Sequence, residues 1–75
     1  MYSGKHQKID LTFSKRLNQV MCERQLYPTE LSRITGIGRR TIYGYLQGSS
    51  QPTAHTLKRI AVCLKISSDW LLGLK

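Results

Sequence analysis

Acidic residues are scarce in this chain of 75: four Asp and Glu stand against twelve Lys and Arg, a formal net charge of +8 at pH 7. So lopsided a balance favours a polyanionic partner, either nucleic acid or an anionic membrane surface, and charge alone does not choose between them. Cysteine is almost missing too. Cys22 and Cys63 lack CxxC spacing, so a reducing compartment would keep both as thiols, and no structural bridge is expected. His6 and His55 are too isolated from them in sequence to suggest a zinc site. With so few acids, two scattered histidines and no visible nucleophile and base pairing, nothing supports a reaction, and no enzyme is expected. No apolar run approaches the ~20 residues of a membrane span. The opening MYSGKHQKID lacks the apolar core of a secretory signal. The expectation is a cytoplasmic protein with no membrane partner, cofactor or small-molecule ligand. A chain this short fills one small core but not an enzyme-sized cleft. Internal repeats, low-complexity tracts and a second linker are all absent.

What is present is helical periodicity. Residues 1–10 are polar, basic and aperiodic, which predicts a flexible arm whose Lys5 and Lys8 either reach phosphates or touch nothing. From Leu11, the spacing of Phe13, Leu17, Val20 and Met21 predicts a first helix fading near Gln25. Pro28, having no amide hydrogen, belongs at the first position of a second helix that runs to about Thr35. After Gln47 the GSSQP segment is a loop, and Thr53 is a good cap for a helix burying Leu57, Ile60, Ala61 and Leu64. Ile66 packs at the following turn. Ser67 can cap again, with Asp69 at the positive end of a last helix holding Trp70, Leu71 and Leu72. His55 reads either as a helix-start residue near a polyanion backbone or as simply solvated. The result is one all-α domain over residues 11–75, preceded by the arm.

The most informative stretch is TELSRITGIGRRTIYGYLQG, Thr29 to Gly48. Leu31 and Ile34 recur at helical intervals, Gly36 interrupts, and Ile42, Tyr45 and Leu46 resume the pattern, which predicts one apolar stripe facing one core. With Ile42 at its centre, Arg40, Tyr43, Gly44 and Gln47 fall on the outward side. Gly36 suits the left-handed backbone that ends one helix and lets another begin, and Gly38 can cap the second without a side chain. Helices joined by so short a turn cross steeply, so the second can enter a DNA major groove while the first crosses the backbone. An ordinary helical hairpin is the alternative.

The Leu31 to Gly48 block, Pro52-Thr53, the LKRIAVCLKIS helix and the closing DWLLG together resemble the Cro and phage-repressor (XRE-type) helix-turn-helix family over residues 11 to 74. The resemblance implies a compact five-helix, lambda-repressor-like domain that binds double-stranded operator DNA, commonly as a two-fold homodimer. Three positions depart from the family pattern. Pro28 replaces a DNA-contacting glutamine, leaving Thr29 and the amides that open the second helix for a phosphate. Gly38 replaces Ser or Thr, so the third helix starts without a hydroxyl cap. Met21 and Leu46 stand where some members bury an Arg–Glu pair. Losing both charges together is often neutral or stabilising by roughly 1 to 4 kcal/mol, so the two side chains are expected to touch.

The DNA-binding set expected from these readings is Arg39, Arg40, Thr41, Tyr43, Gly44, Gln47, Thr29, Ser49, Ser50 and Gln51. An arginine can give two parallel hydrogen bonds to guanine O6 and N7, worth ~1 to 3 kcal/mol of discrimination. Arg40 is favoured for the base edge. Arg39, nearer the core side, takes either base or phosphate, and Thr41 holds a phosphate or a thymine methyl. Tyr43 either lies on bases or sugar or packs on the second helix. Gly44 is expected to permit close approach to DNA rather than to read it. The family resemblance places Ser49, Ser50, Gln51 and Thr53 along the backbone, while Arg33 is either solvated or in contact. Trp70, Leu71, Leu72 and Leu74 are the expected dimer seam, unless Trp70 and Leu71 only close the monomer core. Two hypotheses follow. One is a sequence-specific transcription regulator, acting as a repressor that occludes a promoter; the other is a protein-interaction module, an antitoxin or adaptor on the same fold.

Overall fold

Each stretch of helical periodicity becomes a helix in the computed structural model, which describes residues 11–74. In order these are α1 (Thr12–Glu23), α2 (Pro28–Thr35), α3 (Arg39–Gln47), α4 (Ala54–Leu64) and α5 (Ser68–Leu72). The expected arm, residues 1–10, and Lys75 lie outside the described residues.

The helix ends follow local chemistry. Pro28 occupies the first turn of α2, and the Tyr27 amide ahead of it donates to Glu30 Oε1 at 3.0 Å. Thr53 caps α4 by accepting from the Thr56 amide at 3.2 Å. Ser67 caps α5, accepting from the amides of Asp69 (3.1 Å) and Trp70 (3.3 Å). Such caps satisfy amides that a helix start leaves unpaired, and each contributes about 1 kcal/mol. Two arginines, Arg16 of α1 and Arg24 just beyond it, serve the opposite ends. Arg24 donates to the Leu64 carbonyl closing α4. Arg16 donates to the Trp70 carbonyl of α5 while its guanidinium lies 5.0 Å from the centre of the Trp70 ring.

The core is the sum of the inward stripes. Phe13, Leu17, Val20 and Met21 of α1 join Leu31, Ile37, Ile42, Tyr45, Leu57, Ile60, Ala61, Leu64 and Leu71 in one buried cluster. Phe13 and Tyr45 pack edge to face, with ring centres 5.5 Å apart. Met21 lies in this cluster and the half-buried Leu46 packs against it; both line the same surface hollow. Through these contacts α1 packs on α3 and α5, α2 on α3 and α4, and α4 on α5.

Two expectations about the core are corrected. Ile34 does not face inward: it is 45 % exposed, and Thr35 takes the buried position beside Leu31. Thr35 can do so because its hydroxyl donates to the Leu31 carbonyl (2.6 Å) and accepts from the Ile37 amide (3.2 Å), leaving no buried polar group unpaired. The Ile34 carbonyl accepts from the free thiol of Cys63 on α4 at 3.4 Å. Leu71 is fully buried in the monomer, so its side chain closes the core and is withdrawn from the expected dimer seam. Trp70 is half-buried, while Leu72 and Leu74 remain exposed. No helix among the described residues is long and apolar enough to cross a membrane.

Candidate nucleic-acid interface

The turn that sets α2 against α3 depends on Gly36, whose φ of 75° is a left-handed conformation that costs a residue with a Cβ roughly 1–2 kcal/mol. Ser32 pins the far side of the turn by donating to the Ile37 carbonyl at 2.6 Å. The buried Ile37 then drops into the core and α3 begins two residues later.

Ile42, with no exposed surface, and the buried Tyr45 anchor α3 from behind. Arg39, Arg40, Thr41, Tyr43 and Gln47 are all exposed. Arg39, expected nearer the core, is exposed as Arg40 is, and Tyr43 keeps 47 % of its surface open. The helix contains no acidic residue, so its outward face is uniformly cationic and polar. At its start Gly38 supplies no side-chain cap, and nothing lies within 4 Å of where a Cβ would be. That end is open.

The far end is closed. Ser14 Oγ and Asn18 Nδ2 of α1 donate to the Leu46 carbonyl, each at 2.9 Å. The Gly44 carbonyl accepts from the amides of Ser49 (3.0 Å) and Ser50 (3.2 Å). The Ser49 hydroxyl donates to it as well, at 3.3 Å. Carbonyls that a helix end leaves without intrahelical partners are thus satisfied by α1 and by the following loop.

The loop also comes close to Gly44. A Cβ there would stand 2.8 Å from Ser50 Oγ and 3.2 Å from Ser50 Cβ. Gly44 admits the chain's own loop. Ser49, Ser50 and Gln51 are exposed, with Ser50 brought against the outward side of α3.

The start of α2 also differs from expectation. Its amides are largely engaged: those of Glu30 and Leu31 donate to the Tyr27 carbonyl at 2.9 and 3.0 Å, and Pro28 has none. The exposed Thr29 keeps its hydroxyl and amide for a ligand, but the Glu30 carboxylate stands at the same helix end. A phosphate there meets a weaker attraction than the helix dipole alone would give.

Three features escape a reading of periodicity. Ser14 and Asn18 hold α3 in place, yet in sequence they look like ordinary polar residues of α1. Arg59 leans over the helix-turn-helix corner: its Nη1 lies 3.8 Å from the position of a Gly36 Cβ, and its Nη2 is 3.0 Å from His55 Nε2. With Lys58 these form an exposed basic run on α4, signalled in sequence only by the adjacent Lys58 and Arg59.

Comparison with protein families agrees with this geometry. Residues 19–71 match a family model described as Helix-turn-helix, a span holding α2, α3 and α4 entire. Neither the curated proteins nor the solved structures give a significant match.

Proposed function

We propose, from the premise that this chain belongs to the Cro and phage-repressor (XRE-type) helix-turn-helix family and is a DNA-binding regulator, that it is a cytoplasmic, Cro-like repressor reading a near-palindromic operator with α3. The observation that carries this reading is the pairing of Arg39 and Arg40, both exposed, with Ile42 buried directly behind them. A helix so anchored presents a pre-set cationic edge to the major groove, where an arginine fork matches guanine O6 and N7. Arg40 takes the base edge, Arg39 a base or phosphate, and Thr41, Tyr43, Gln47, Ser49, Gln51 and Thr29 hold the backbone and groove wall.

A single small domain offers one half-site, so two copies bind with their α3 helices ~34 Å apart. Trp70, Leu72 and Leu74 form the seam, Leu71 being committed to the monomer core. Occupancy of a promoter then blocks transcription, and the amount of protein sets the effect.

A mobility-shift titration of wild type and Arg40→Ala, against a duplex selected from random DNA and an unrelated duplex, tests the reading. Arg40→Ala is expected to lose about 1–3 kcal/mol of binding on the selected duplex and much less on the unrelated one. An equal loss on both would make Arg40 a phosphate contact. Raising salt from about 50 to about 200 mM should weaken wild-type binding by orders of magnitude.

A further inference from the structure

The outward side of α3 has a gap in its row of side chains. Arg40, residue 44 and Gln47 lie at intervals of four and three, so they follow one another along one helical face. Arg40 and Gln47 are exposed there, but residue 44 is glycine and contributes nothing. The gap is filled from outside the helix. Ser50 Oγ lies 2.8 Å, and Ser50 Cβ 3.2 Å, from where the Cβ of residue 44 would be.

We infer that Ser50 is the reading side chain of position 44: a loop serine that takes the place of a helical one and puts its hydroxyl on a base edge between the contacts of Arg40 and Gln47. This rests on the function proposed above. Two observations separate Ser50 from its loop neighbours. The Ser49 hydroxyl is turned back onto the Gly44 carbonyl, whereas no such bond engages the Ser50 hydroxyl among the described residues. The loop is also fixed, because the amides of Ser49 and Ser50 both donate to that same carbonyl. Ser50 is therefore exposed yet held in place, so its hydroxyl would meet DNA from a fixed position, as the reading of one particular base edge needs. Gly44 acts as the positioning residue, since any side chain there displaces Ser50.

The test uses the full chain and a duplex selected with wild type from random DNA, together with a panel in which each base pair is replaced singly. Ser50→Ala keeps the loop and removes the hydroxyl. It is expected to weaken binding to the selected duplex by about two- to tenfold, the range of one net hydrogen bond, and to flatten discrimination at one or two adjacent base pairs only. Gly44→Ser combined with Ser50→Gly moves the hydroxyl onto the helix and is expected to restore preference at those same base pairs. Gly44→Ala, which pushes Ser50 aside, should disturb them as Ser50→Ala does while the circular-dichroism spectrum stays helical. A uniform loss across the panel with Ser50→Ala places the hydroxyl on phosphate and overturns the assignment, as does no loss at all. In both cases a base-specific effect of Arg40→Ala would leave the proposed function standing. If wild type selects no duplex, the functional reading fails and the assignment falls with it.

Discussion

The two ends of α3 are built in opposite ways. At the N-terminal end, Gly38 offers no hydroxyl and its surroundings are empty. At the C-terminal end, Ser14 and Asn18 reach across from α1 to one carbonyl, and the loop folds back onto another. Under the proposed function, the difference separates two tasks of a reading helix. One end fixes depth and angle by tying α3 to the first helix. The other leaves two arginines exposed at the positive end of the helix dipole, which favours an anionic ligand.

The largest effect on this arrangement is expected from the residue between the ends. Ile42→Ala empties a fully buried site and should cost about 2–5 kcal/mol in denaturant unfolding, a large part of the ~5–15 kcal/mol typical of a whole domain. A loss under 1 kcal/mol would mean that α3 is not anchored through Ile42. Next comes the tied end. Replacing Ser14 and Asn18 together by alanine leaves the Leu46 carbonyl without its two side-chain donors and should cost about 1–3 kcal/mol. It should also blur base discrimination by selected duplexes, because α3 loses its fixed angle. Full selectivity in a clearly destabilised double variant would refute the positioning role. The smallest effect belongs to the open end. Gly38→Ser fits the observed φ of −59° and ψ of 146° and should raise stability by about 0.4–1 kcal/mol, read as a higher melting temperature. If the bare end serves DNA, this more stable variant binds no more tightly. A gain in both stability and affinity would show that the missing cap has no part in binding.

Much of this was readable from the sequence because it is local. Pro28, Thr53 and Ser67 mark helix starts through their own chemistry, and Gly36 marks the corner through its backbone freedom. The buried faces of α1 and α4 follow from spacing alone. The misreadings share a cause, which is that a distant group decides the outcome. Thr35 displaces Ile34 from the core because two nearby backbone groups satisfy its hydroxyl, so polarity did not signal exposure. At Gly44, only the fold shows that the loop six residues later lies against the helix. Leu71 and Leu72 are alike in sequence, and only the packing of α5 on α1 and α4 buries one and exposes the other. The ties from Ser14 and Asn18 to Leu46 span 32 and 28 residues, beyond any periodic pattern.

Arg16 and Arg24 each donate to a main-chain carbonyl, one at the end of α5 and the other at the end of α4, so the fold rather than a ligand fixes where these two cations point. A logarithmic plot of affinity against ionic strength should therefore be shallower than a tally of all twelve cations would suggest. The thermodynamic charge of the complex should then fall below the formal charge of the polypeptide, since only the cations that meet phosphate count.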